Sequence, residues 1–105
     1  MAESPTVVHD AMAGKFEIRT DTGAAVLTYE RRGDTLDLMH TRVPGALEGQ
    51  GYGGALAKAA LDYARANGLK VIPTCPFVSV YLRRHKEYAD LVQGAERLAL
   101  ARHAT

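Results

Sequence analysis

The sequence predicts an α/β protein of the α+β kind, an antiparallel meander followed by a β-α-β-α unit. Three observations carry that prediction. Apolar and polar residues alternate in short runs divided by turn triplets up to Val43. From Tyr52 the apolar residues recur instead at the spacing of one helix face. Between the two regimes stands a turn with four glycines, Gly49, Gly51, Gly53 and Gly54, in the segment E-G-Q-G-Y-G-G.

Val7 to Asp10 is a short apolar run. Lys15 to Thr20 places Phe16 and Ile18 between Glu17 and Arg19, the pattern of a half-buried strand. Asp21-Thr22-Gly23 is a turn sequence, Ala25 to Arg31 a second strand, Arg32-Gly33-Asp34 another turn and Thr35 to Val43 a third strand, which Pro44 ends. Leu56, Ala59, Ala60, Tyr63 and Ala64 define the apolar face of the helix, with Lys58, Asp62 and Arg65 opposite and Asn67-Gly68 as its stop. Leu69 to Thr74 reads as a buried strand. A helical crossover makes it parallel to the strand ending at Val43. Pro76 opens a further helix with Val78, Tyr81 and Leu82 on its apolar face, and Arg84 to Tyr88 reads as its exposed end. Ala95 to His103 is long enough for one more short helix, set apart by Gly94.

A chain of 105 residues is expected to form one domain over 1–105. Its core is expected over about residues 7–92, with 93–105 as a tail or short helix. The 47% hydrophobic and 24% charged composition is that of a globular protein. A net charge of +1, with no basic run longer than Arg83-Arg84 plus Lys86, argues against a nucleic-acid partner. No window suits a membrane span and the N-terminus lacks a basic-then-apolar leader, so the expected setting is the cytoplasm. The single cysteine, Cys75, agrees with a reducing compartment, and no second Cys or His stands at zinc-ligand spacing from it. No metal is expected.

The glycine turn carries the first chemical signal. Residues without a Cβ reach positive φ and bring their amides close to an anion, and the helix behind adds unpaired N–H groups and a positive dipole end. A pyrophosphate suits such a turn. Neither G-x-G-x-x-G nor a Gly-Lys-Ser/Thr ending is present, which points to another phosphate-bearing ligand.

The order of parts resembles the GNAT superfamily of acyl-coenzyme A dependent N-acetyltransferases. Their Arg/Gln-x-x-Gly-x-Gly/Ala turn follows the fourth strand, where this chain has Glu48-Gly49-Gln50-Gly51-Tyr52-Gly53. His40-Thr41-Arg42-Val43-Pro44, Pro73-Thr74-Cys75-Pro76-Phe77-Val78 and Tyr81-Leu82-Arg83-Arg84-His85 resemble more narrowly a small single-domain subfamily of bacteria and eukaryotes. The likeness runs from about Phe16 to Val92. Two departures stand out: Glu48 replaces the usual Arg or Gln, and no room exists between the first two strands for the paired helices that wall the acceptor site in most members.

The resemblance implies acetyl-CoA or coenzyme A as co-substrate and an unidentified amine acceptor, with monomer and homodimer both open. It places the coenzyme against Thr41, Arg42 and Val43 on one strand end, Thr74, Cys75 and Phe77 at the other, residues Glu48, Gly49, Gln50, Gly51, Tyr52, Gly53 and Gly54 of the turn, and Tyr81 and Arg84 on the last helix. The backbone N–H of Val43 would polarise the thioester carbonyl. Tyr81 takes the position of a general acid for the leaving thiolate, or else packs in the core. His40, read on the same strand face as Leu36 and Leu38, is a candidate base or a structural histidine. Cys75 stands before a helix N-terminus and is a nucleophile, a partner for a mixed disulfide with the coenzyme, or a packed small residue. His85 reads as solvated charge, and His9 and His103 have no evident partners. Three functions follow in order: an acyltransferase, a non-catalytic acyl-CoA-binding sensor or partner module, and a structural domain whose glycines only permit close contact of helix and strand.

Overall fold

The computed structural model describes residues 5–93. Strands β1 (Val8–Asp10), β2 (Lys15–Thr20), β3 (Gly23–Arg32) and β4 (Thr35–Arg42) lead to helix α1 (Tyr52–Ala66), strand β5 (Lys70–Ile72) and helix α2 (Pro76–Arg84). Two 3-10 turns, Gly45–Leu47 and Lys86–Leu91, follow β4 and α2. The sheet runs β1-β2-β3-β4-β5, antiparallel through β4, with β5 parallel to β4. The meander and the crossover are therefore as the sequence predicts. The expected helix at 95–103, with His103, falls outside the described residues.

Strand register explains which face is buried. Phe16 stands opposite Leu27 and Ile18 opposite Ala25, so these four side chains share a face with Leu36 and Leu38. All six are essentially buried against Leu56, Ala60, Leu61 and Ala64 of α1 and Val78 and Leu82 of α2 in one cluster. Full burial of a leucine such as Leu56 or Leu61 contributes about 1.5–3 kcal/mol. Both helices thus lie on one side of the sheet. The opposite face carries Lys15, Glu17, Arg19, Glu30, Arg32 and Asp37, joined in part by Lys15–Glu17, Arg19–Glu17 and Arg32–Glu30 ion pairs.

Helix α1 ends as Asn67-Gly68 predicts. The Leu69 N–H reaches the Ala64 carbonyl at 2.8 Å and the Gly68 N–H the Arg65 carbonyl at 3.4 Å, a Schellman arrangement that also buries Leu69. Its buried face is centred on Leu56, Ala57, Ala60, Leu61 and Ala64, with Ala59 and Tyr63 at the flank.

Three expectations need correction. Strand β5 stops at Ile72, two residues early, because Pro73 has no N–H to offer the ladder. Residues after Arg84 are not a solvated helix end: the turn Lys86–Leu91 buries Tyr88 and Leu91. Arg65 holds that turn, reaching both carboxylate oxygens of Asp90 at 3.0 and 3.2 Å and the Glu87 carbonyl at 2.6 Å. His9 has partners after all. Its ring stacks on Phe16 with centroids 4.2 Å apart, meets Tyr63 edge-on and hydrogen-bonds the Tyr29 hydroxyl.

Candidate functional site

The glycine turn leaves its amides free. Among the described residues, none of the backbone N–H groups of residues 49–54 donates to a backbone carbonyl, and no side chain caps α1; the first helical bond runs from Ala55 N–H to the Gly51 carbonyl. Gly51 is the N-cap at φ +81°, a left-handed conformation that glycine adopts without the strain a Cβ brings. Gly53 has another reason to lack a Cβ. A methyl there would stand 2.8 Å from Cζ of Phe77, so this glycine lets the α2 ring lie against α1. Gly54 likewise faces the Tyr81 ring, where a Cβ would stand at an ordinary contact distance of 3.7 Å.

Beyond the glycine turn lies a split between β4 and β5. Their parallel ladder ends at Asp37 opposite Ile72, and a last bond joins Cys75 N–H to the Leu38 carbonyl at 2.9 Å. On its other edge β4 carries a bulge: Tyr29 pairs with Leu38 and Thr28 with His40, leaving Met39 unpaired. A bulge bends and twists its strand, and here it acts just where Pro73 stops β5, so the regular ladder between the two strands ends there. The Thr74 hydroxyl donates to Asp37 across the base of the split.

The same bulge reverses the alternation of side chains. His40 pairs with Thr28 and lies exposed on the open sheet face, not on the face of Leu36 and Leu38 as the spacing implied. Thr41, opposite the buried Leu27, takes the helix side instead. There the Cys75 thiol, almost fully buried at the N-cap of α2, donates to the Thr41 hydroxyl at 3.2 Å. Cys75 and His40 occupy opposite sides of the sheet and form no pair.

On α2 the Tyr81 ring lies parallel to that of His85, centroids 3.8 Å apart, and His85 Nδ1 is 2.9 Å from the Tyr81 carbonyl oxygen. Half-buried, His85 is part of this wall rather than free surface charge. Burial pushes the Tyr81 hydroxyl above its ordinary pKa, so it is a proton donor and not a base near neutrality. Tyr81, His85, Phe77, Val80 and Arg84 line one side of a cavity of about 430 Å³, and Gly54, Ala55 and Lys58 of α1 line the other.

The remaining predicted residues divide by position. Val43 and Tyr52 are half-buried against the core, whereas Arg42, Glu48, Gly49 and Gln50 are exposed around the turn. Lys58 was missed by the sequence reading. It stands one helical turn after Gly54, on the face that looks toward α2, and that i+4 spacing was the available signal. Among the described residues no cluster of three His, Cys, Asp or Glu side chains is arranged to hold a metal ion, and no helix is long and apolar enough to cross a membrane.

Chemically, the site offers a run of free amides, then a cavity with Lys58, Arg84 and His85 on its rim, and beside both a gap in the sheet with a tyrosine on the helix side. That arrangement fits a long phosphate-bearing ligand whose reactive end enters the gap.

A family model for GCN5-related N-acetyl-transferases matches residues 15–91. The chain is 38% identical to protein NATD1 of Xenopus tropicalis over 100 residues, covering 92% of its own length and 88% of that protein. It is 39% identical to human NATD1 over 95 residues, covering 88% and 80% of the two chains. A GCN5-like protein from Staphylococcus aureus, solved by NMR in solution, superposes with a TM-score of 0.67 and 31% identity over 87% of this chain and 90% of its own.

Proposed function

Because the chain belongs to the GCN5-related N-acetyl-transferase family, we propose that it moves an acetyl or other short acyl group from a coenzyme A thioester to an amine. The observation that carries this reading is the unbroken run of unpartnered amides at 49–54, opening onto the split between β4 and β5. In this reading those amides hold the diphosphate, the α1/α2 cavity receives the nucleotide, and the thioester lies in the split.

The two sides of the sheet then have separate tasks. The coenzyme occupies the helix side, and the amine arrives from the open face, where His40 is placed to take its proton. The nitrogen lone pair attacks the thioester carbonyl, whose oxygen is polarised by the Val43 N–H. As the tetrahedral intermediate collapses, the C–S bond breaks and Tyr81 donates its proton to the departing thiolate. Base and acid on opposite sides of the acyl group suit direct transfer, and Cys75, away from His40, needs no covalent role.

The bare sheet face favours one further reading, an acyl-CoA sensor that turns nothing over. Calorimetry separates the cases. Acetyl-CoA should bind the wild type and lose at least about tenfold in affinity to Gly51→Val with the fold intact by circular dichroism. Equal affinity in the two proteins overturns the placement of the diphosphate. Binding with no acyl transfer to any amine of a broad panel selects the sensor.

A further inference from the structure

Side-chain size divides the open face of the sheet, the face opposite the two helices. On β3 the residues of that face are Ala24, Val26 and Thr28, all small and half-buried. Ala24 stands opposite Arg19, Val26 between Glu17 and Arg42, and Thr28 between Lys15 and His40. Longer side chains on β2 and β4 thus flank a shallow trough along β3. His40 and Arg42 form its β4 wall.

Charge separates the two walls. Glu17 is shared by Lys15 at 3.6 Å and Arg19 at 3.0 Å, so the β2 wall neutralises itself. Elsewhere on this face Arg32 pairs with Glu30 and lies 3.8 Å from Asp37, which also accepts a hydrogen bond from the Thr74 hydroxyl. Arg42 is exposed and makes no ion pair among the described residues. The carboxylate in its own cross-strand row, Glu17, is two strands away, about 10 Å at the spacing of paired strands.

Resting on the amine-transfer reading above, we infer that the acceptor carries an anionic group, a carboxylate or a phosphorus oxyanion, a few bonds from its amine, and that Arg42 holds that group. Arg42 follows His40 by two residues on the same face, about 7 Å along the strand. An amine seated at His40 therefore brings a neighbouring oxyanion within reach of the guanidinium, whose planar fork donates two parallel hydrogen bonds to such a group. The half-buried floor at Val26 and Thr28 shields one side of the pair from water, which strengthens it. Although the family resemblance set Arg42 against the coenzyme, the bulge turns its side chain, with that of His40, to the acceptor face. Arg42 touches no reacting atom in this arrangement and acts on the choice of acceptor.

Acyl transfer from acetyl-CoA to 4-aminobutanoate, 3-aminopropylphosphonate, uncharged 4-aminobutanamide and 1,4-diaminobutane tests this in the wild type, Arg42→Gln and Arg42→Glu. The wild type should favour one or both anionic amines over the amide by about tenfold or more in kcat/KM, through the acceptor KM, and the better of the two identifies the oxyanion. Arg42→Gln should reduce that preference to within about twofold and Arg42→Glu should turn it toward the diamine, with the KM for acetyl-CoA changed less than about twofold in both. A wild type indifferent to the anionic group, a preference that survives in Arg42→Gln, or a rise in the KM for acetyl-CoA in place of the acceptor KM overturns the anchor. Transfer to none of these amines, with acetyl-CoA bound, instead overturns the amine-transfer reading on which it rests.

Discussion

The Cys75 thiol donates to the Thr41 hydroxyl across 3.2 Å on the helix side of the sheet, while its own backbone N–H, bonded to the Leu38 carbonyl, makes the last bond between β4 and the chain after β5. Both groups are committed to holding the split. Cys75→Ser keeps a donor of similar size toward Thr41, so transfer should stay within about twofold of wild type, with a stability loss of about 1 kcal/mol. Steady-state rates and thermal melts read both. Loss of transfer with coenzyme binding intact would make the thiol an acyl carrier and end the direct route.

Tyr81→Phe removes one hydroxyl and leaves the ring against Gly54 and the stack on His85. The expected outcome is a fall in kcat of roughly 100-fold, in the range of a lost general acid, with coenzyme affinity changed by less than about twofold. An unaltered kcat takes Tyr81 out of the chemistry and leaves it as cavity wall.

The stability of the meander depends on the turn between β1 and β2. A Cβ on Gly14 would stand 2.8 Å from the Tyr29 carbonyl oxygen, in a backbone at φ +70°. Neither atom belongs to a movable side-chain end. Gly14→Ala should therefore cost roughly 2 kcal/mol or more and lower Tm on the order of 10 °C, whereas Gly45→Ala, with open space around it, should be nearly neutral. Equal melting of both variants would contradict the geometry.

His9 gives a pH dependence of definite sign. Burial among Phe16, Tyr29 and Tyr63 holds its pKa below the usual 6.5, and the neighbouring Asp10 carboxylate opposes this only in part. The unfolded chain thus binds the proton more readily. The stability from neutral His9 is fully present above about pH 6.5 and is lost as pH falls through the lower folded value. Melts from pH 7.5 to 5 should show a steeper decline for the wild type than for His9→Phe, which cannot titrate. Parallel declines would remove His9 as the cause.

Local signals made most of this fold legible. The alternation about Phe16 and Ile18, the Asn67-Gly68 stop and Pro76 at the start of α2 each fix an element through the dihedral or donor demands of one or two residues. The glycine turn was legible for the same reason, although Gly53 serves contact with Phe77 rather than φ. What escaped depends on residues distant in sequence. His40 changes face because β3 forces Met39 out of register, which no count along β4 reveals. His9 finds partners at positions 16, 29 and 63, and Tyr88 is buried because its hydroxyl meets Asp62 on α1 and Arg65 lies over its ring.

An amide-resolved NMR titration with coenzyme A observes the free amides of the glycine turn directly. The N–H resonances of Gly49, Gln50, Gly51, Tyr52, Gly53 and Gly54 should shift most, with Lys58 and Tyr81 next and the open sheet face about Glu17 and Glu30 unmoved. Saturable shifts centred anywhere else, with residues 49–54 unchanged, would contradict the placement of the diphosphate.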